Sequence, residues 1–114
     1  MLAAIEPTTF RVAPTVREVA LAYIQQRHDV SPEELTCPSR YKHYIAARAL
    51  FVAIMQAYRP HVSSGALGQW LKRDHSTVLN LARRAEQLLR DDEEFRQDFA
   101  RFAAFYAAHG GETQ

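Results

Sequence analysis

Three adjacent residues in the middle of the chain, Asp74, His75 and Ser76, have the side-chain types of a hydrolytic triad. A triad needs its carboxylate, imidazole and hydroxyl to converge, so that the base can take a proton from the nucleophile. Consecutive residues on a helix point roughly 100° apart, so three neighbours diverge instead. We therefore expect no hydrolase site at these residues and no enzymatic activity.

The side chains that could ligate a metal are scattered along the chain. Zinc sites are typically built from closely spaced pairs, such as Cys-x-x-Cys or His-x-x-x-His. Neither spacing occurs among Cys37 and the five histidines, which are His28, His43, His61, His75 and His109. The sequence also lacks the Gly-x-x-x-x-Gly-Lys-Ser/Thr loop that cradles nucleotide phosphates. We expect no metal, no cofactor and no bound nucleotide.

Lysine and arginine are concentrated in the middle of the chain, although the formal net charge of the whole is only +1. Residues 36–90 hold nine Lys or Arg and two acidic residues, a net charge of +7, and the remainder has a net charge of −6. Such a basic block favours nucleic-acid binding, because side chains that neutralise phosphates release counterions. The alternative is a solvated helix surface whose charges segregate by chance.

The composition is typical of one soluble globular domain, with 47% hydrophobic and 24% charged residues. A single cysteine cannot form an internal disulfide and fits a reducing compartment. The N-terminus lacks the basic start and long apolar run of a signal peptide. The longest apolar run, residues 49–55, is far shorter than the ~20 residues of a membrane-spanning helix. We expect a cytoplasmic protein without a membrane segment.

Helical spacing of apolar residues recurs along most of the chain, and strand-type alternation does not occur. Thr15 and Glu18 form a capping-box pattern. The apolar stripe that follows consists of Val16, Val19, Ala20, Tyr23 and Ile24. Ser31 and Glu34 repeat the pattern before a short helix that should run to about Leu35.

Polar capping residues also mark three later helices. Ser39 is predicted to cap a long third helix, which must end before Pro60 because proline cannot continue it. Ser63 or Ser64 should begin a short fourth helix. Asp74 is predicted to cap the fifth, since an acidic residue suits the positive end of the helix dipole.

The acidic residues 91–94 begin a last helix, which Gly110-Gly111 should stop. Its predicted packed side consists of Phe95, Phe99, Phe102, Ala103 and Tyr106. We predict an all-α fold, a compact bundle of about six helices that contains a helix-turn-helix. Residues 1–14 are expected to form an irregular arm, residues 15–109 the domain and residues 110–114 a tail.

The fourth and fifth helices have the outline of a helix-turn-helix, with a short turn around Lys72 and Arg73. On the outer face of the second helix, polar side chains near its start could reach base edges and basic ones further along could meet phosphates. That face carries His75, Ser76, Asn80, Arg83 and Gln87. The alternative is an ordinary helical hairpin whose outer face is polar because it contacts water. Trp70 is expected in the core, and not as a base-stacking platform.

The string Arg73-Asp-His-Ser-Thr-Val78 resembles the Arg-Asp-His-Ser/Thr-Thr-Val signature of one family, the C-terminal DNA-binding domain of the bacterial replication initiator DnaA. The likeness covers about residues 15 to 103. It includes Val16–Tyr23, Val30–Leu35, Ala82–Glu86 and Asp98-Phe99.

This resemblance implies that the signature helix enters the major groove of a DnaA-box-like site in double-stranded DNA. The positions expected to contact bases and nearby backbone are Arg73, Asp74, His75, Ser76 and Thr77. Arg40 matches a basic residue that reaches the adjacent minor groove, and Lys42 is expected at phosphate. The remaining candidate DNA contacts are Lys72, Asn80, Arg83 and Arg84.

Two departures from the family bear on the choice of DNA sequence and leave the expectation of DNA binding in place. Leu71-Lys72 stands where the family usually has Phe-Gly-Gly, with one residue fewer. Tyr41 and Tyr44 stand where small or basic residues are usual. The initiator's ATPase module is missing from the sequence altogether.

The sequence therefore predicts sequence-specific binding of double-stranded DNA. A free-standing regulator of transcription or replication initiation is favoured, because the chain starts with Met1 and its arm is unlike an interdomain linker. The DNA-binding domain excised from a full initiator is the alternative. A third reading, from a different class, is a protein-interaction module that has lost DNA binding and uses its acidic last helix.

Overall fold

Side chains that satisfy unpaired amides mark the beginnings of most helices, as the sequence predicts. The Thr15 hydroxyl accepts a hydrogen bond from the Glu18 amide (3.1 Å), and the Glu18 carboxylate accepts one from the Thr15 amide (3.0 Å). Ser31 and Glu34 form a second capping box in the same way. The first amides of a helix have no partner inside it, so these side chains determine where each helix starts.

The computed structural model describes residues 15–109, which form six α-helices and no strand within that range. The helices are α1 (Val16–His28), α2 (Pro32–Thr36), α3 (Lys42–Tyr58), α4 (Ser64–Leu71), α5 (His75–Asp91) and α6 (Glu93–Ala108). The predicted all-α bundle of about six helices is confirmed. None of these six helices has the length and continuous apolar character needed to cross a bilayer. The predicted arm, the predicted tail and the stop at Gly110-Gly111 lie outside the described residues.

The long helix α3 begins later than predicted, and Ser39 does not cap it. Tyr41 precedes the helix and makes no side-chain capping bond. The Ser39 hydroxyl accepts from the Tyr41 amide (3.1 Å), and the Ser39 carbonyl accepts from the Arg48 guanidinium (2.9 Å). A capping residue must offer its carbonyl to the first turn of its own helix. The Tyr41 carbonyl, and not that of Ser39, accepts the first helical bond, from the Ile45 amide (3.1 Å), and the helix starts at Lys42.

Helix α3 is the centre of the bundle and packs against α1, α5 and α6. Nine consecutive residues, Ala47–Met55, are buried, and Arg48 is the one among them with a charged side chain. A helix that is apolar on every side must be covered on every side. The predicted stripe of α1 supplies part of this cover, because all five of its residues are buried.

Helices α5 and α6 each pack one side against the same core. Their buried apolar residues are Val78, Leu81 and Ala85 in α5, and Phe95 and Phe102 in α6. Ala103, predicted on the packed side of α6, is exposed, because it lies at the margin of that stripe. Trp70 and Phe99 are half-buried against the core.

Candidate nucleic-acid interface

Helices α4 and α5 are joined by only three residues, Lys72, Arg73 and Asp74. Lys72 ends α4 in the left-handed conformation (φ 58°, ψ 44°), which costs roughly 1 kcal/mol or more for a residue other than glycine. The Lys72 amide donates to the Gln69 carbonyl (3.3 Å) and the Arg73 amide to the Gly68 carbonyl (2.9 Å). These bonds close the end of α4, so the turn is tight and determines where α5 starts.

Gly68 lies so close to this turn that no side chain fits there. A Cβ at Gly68 would lie 2.6 Å from the Arg73 carbonyl oxygen. We expect Gly68→Ala to lower the free energy of unfolding by roughly 1–3 kcal/mol, because the turn has to move to accept the methyl group. Chemical denaturation followed by circular dichroism measures this change.

Gly65→Ala, in the same helix, is the matched control. Its Cβ would meet the Ser63 hydroxyl at an ordinary 3.7 Å. Replacing a helical glycine by alanine should leave stability unchanged or raise it by up to about 1 kcal/mol. Equal losses in the two variants would contradict the close approach of α4 to the turn.

In the first turn of α5, some of the side chains predicted to contact DNA bond to other residues, and others are exposed. The Asp74 carboxylate accepts from the Thr77 amide (2.9 Å), and this bond holds the pKa of Asp74 below its usual range. His75 Nδ1 lies 2.9 Å from the Ser64 hydroxyl of α4. The bonds of Asp74 and His75 are thus to residues other than the exposed Ser76.

An open groove of about 850 Å³ separates the start of α3 from α5. Its walls include Ile45, Leu81, Leu88 and Phe95, so part of its lining is apolar. Five lining residues are basic and one, Asp92, is acidic. The predicted DNA contacts that line it are Arg40, Lys42, Arg73, Thr77, Asn80 and Arg84. The fold therefore gathers basic and polar residues from two distant stretches of chain around one concave surface.

The other predicted contacts lie outside the lining of this groove. There are five of them: the capping Asp74 and the exposed Lys72, His75, Ser76 and Arg83. The Arg83 guanidinium donates to the side-chain oxygen of Asn80 (2.8 Å), which links two polar residues on the solvent side of α5.

Arg48 is the residue of this region that sequence reasoning missed. It is only 3% exposed. Its guanidinium donates to the carbonyls of Leu35 (2.7 Å), Cys37 (2.8 Å), Ser39 (2.9 Å) and, at 3.3 Å, Glu34. Burial, together with the nearby charge of Arg73, lowers the pKa of Arg48. The sequence feature that could have identified Arg48 is its position as the single charged residue within the otherwise apolar residues 47–55.

Arg73, predicted to contact DNA, is turned into the protein. Its half-buried guanidinium donates to the carbonyls of Thr36 and Cys37, and also to those of Leu71 and Lys72 in its own turn. It therefore ties the turn before α5 to the segment after α2. Contact between Arg73 and DNA stays a prediction.

Arg48 and Arg73 together hold residues 34–39, the end of α2 and the segment that follows it, by bonds to its carbonyls. Arg48 reaches this segment from α3 and Arg73 reaches it from the turn before α5, and both bond to the Cys37 carbonyl. The exposed Arg40 follows directly. The two guanidiniums thus tie the segment before Arg40 to α3 and to the turn before α5.

Within residues 15–109, no three His, Cys, Asp or Glu side chains are grouped as a metal site requires. Comparisons with models of protein families, with curated proteins and with solved structures find no match to this chain. Its function is therefore inferred from the charges and the geometry of the groove and of the first turn of α5.

Proposed function

We propose that the chain binds double-stranded DNA in a sequence-specific manner, with α4, the turn and α5 acting as a helix-turn-helix. The observation that carries this proposal is the groove, around which Arg40 and Lys42 meet Thr77, Asn80 and Arg84. A helix fits the major groove of B-DNA. With α5 lying there, the start of α3 would face the neighbouring backbone and minor groove, in agreement with the resemblance to the DnaA C-terminal domain.

The distribution of side chains along α5 supports two roles, base contacts by its first turn and phosphate contacts by residues further along. His75, Ser76 and Thr77 lie in its first turn, where side chains tilt towards the N-terminal end of the helix. Arg83 and Arg84 lie about two turns later. In recognition helices of this kind, residues of the first turn reach base edges and basic residues beyond them bind the phosphates.

Substitutions in α5 test these two roles. His75→Ala or Thr77→Ala should weaken binding to the preferred duplex by ~1–3 kcal/mol and leave binding to random duplex nearly unchanged. Arg83→Ala should weaken binding to both duplexes by a similar factor, because a phosphate contact is independent of sequence. Fluorescence anisotropy at equilibrium measures the affinity of each variant for the preferred duplex and for the random duplex.

The fold should survive all three substitutions, because none of these side chains belongs to the buried set Val78, Leu81 and Ala85; circular dichroism checks this first. If His75→Ala and Thr77→Ala kept full discrimination between the two duplexes, α5 would not be the reading element. If the native chain bound no duplex even at low salt, a protein-interaction module would become the better interpretation.

A further inference from the structure

The first residues of α4 and α5 are joined by a side-chain hydrogen bond. The hydroxyl of Ser64 and Nδ1 of His75 are 2.9 Å apart. Ser64 is half-buried and His75 is exposed. Among the described residues, the Ser64 hydroxyl has no other hydrogen-bond partner. The bond therefore connects an anchored group in one helix to a predicted base-reading side chain in the next.

We infer that Ser64 is a positioning residue that makes Nε2 of His75 a hydrogen-bond donor towards DNA; this inference rests on the proposed function. A hydroxyl can donate or accept, and its hydrogen needs an acceptor. In the inferred neutral ring, Ser64 donates to Nδ1 and the ring proton resides on Nε2; the 2.9 Å separation also fits the opposite donation, and the NMR measurement below decides between the two. In the charged ring, Nδ1–H donates to Ser64 and Nε2 still carries a proton. With the inferred tautomer, Nε2 is a donor in either state.

A fixed donor selects among the bases by chemistry. In the major groove, guanine offers two neighbouring acceptors, O6 and N7, whereas cytosine offers an amino donor. The imidazole of His75 therefore favours a base that offers an acceptor, which is guanine (O6, N7), adenine (N7) or thymine (O4), and disfavours cytosine, which offers a donor. Without Ser64, the ring can rotate, and the neutral ring can present either its donor or its acceptor nitrogen to the base. The same position should then tolerate more bases.

Selection from a duplex library with a randomised centre tests this inference. The native chain, Ser64→Ala and Ser64→Thr are selected in parallel, and discrimination is then measured on duplexes that differ at one base pair. Ser64→Ala should reduce discrimination against cytosine at a single position roughly 3- to 10-fold, the worth of one hydrogen bond. Its affinity for a scrambled duplex should stay unchanged. Ser64→Thr retains the hydroxyl and should retain the preference.

Two further measurements separate positioning from a general effect on structure. In a His75→Ala background, Ser64→Ala should change discrimination no further, because the residue acts only through the ring. Nitrogen-15 NMR of the free protein should show the His75 proton on Nε2 in the native chain and a mixture of tautomers in Ser64→Ala.

The outcomes distinguish the two proposals. A native chain that selects no sequence would overturn sequence-specific binding, and the NMR result would still decide whether Ser64 sets the tautomer. A native chain that excludes cytosine at one position, together with a Ser64→Ala variant of equal discrimination, would overturn the role of Ser64 and leave the proposed function standing. An unchanged tautomer in Ser64→Ala would likewise overturn it.

Discussion

Replacing Arg48 by methionine should lower the free energy of unfolding by roughly 2–4 kcal/mol, although methionine fills much of the same volume. The guanidinium donates to the Leu35 carbonyl in a buried bond and to the Ser39 carbonyl in a partly buried one. Without it the Leu35 carbonyl loses its partner in a place that water reaches poorly, and each unpaired buried carbonyl costs about 1–3 kcal/mol. Urea denaturation followed by circular dichroism measures the loss.

Two further variants sharpen this test. Arg48→Lys keeps the charge but not the planar fork that reaches several carbonyls at once, so it should recover less than half of the loss. Arg59→Met, at the exposed end of the same helix, should change stability by less than about 0.5 kcal/mol. If Arg48→Met were as stable as Arg59→Met, residues 34–39 would be held by something other than this guanidinium.

Binding of duplex DNA should depend steeply on salt. If about five to seven phosphates are neutralised, the logarithm of the binding constant should fall against the logarithm of salt concentration with a slope near −4.5 to −6. Raising the salt about fourfold should then weaken binding by roughly 500-fold or more. The basis for this expectation is the net charge of +7 over residues 36–90. Of that block, Arg40, Lys42 and Arg84 line the groove, whereas Arg48 and Arg73 are turned into the protein and bonded to carbonyls.

Single substitutions show whether the groove supplies these contacts. Arg84→Ala removes a lining residue and should reduce the slope by about 1. Arg101→Ala is the control, because Arg101 lies in α6 beside Asp98 and outside the lining. It should leave the slope unchanged. A flat salt response of the native chain, or equal effects of the two substitutions, would contradict the proposed electrostatic surface.

The sequence by itself determined where most of the helices begin and which side of them is buried. Thr15, Ser31 and Asp74 cap their helices as predicted, because a cap and the amide that it satisfies are three residues apart. The stripe of α1 is equally local, since helical geometry alone places its residues on one side. Information of this kind lies within a few residues, so a single sequence is enough to read it.

The start of α3 and the shape of the candidate interface were decided by the tertiary structure. The Ser39 carbonyl bonds to Arg48, nine residues away, and Arg73 reaches Thr36 across 37 residues. A carbonyl outside a helix must find a donor wherever the folded chain brings one near, and no local pattern specifies which donor that is. The same applies to the bond between Ser64 and His75 and to the groove that Arg40 and Arg84 both line. Sequence reasoning therefore placed the candidate residues of α5 on their helix, and only packing determined which candidates face the groove and which hold the chain in place.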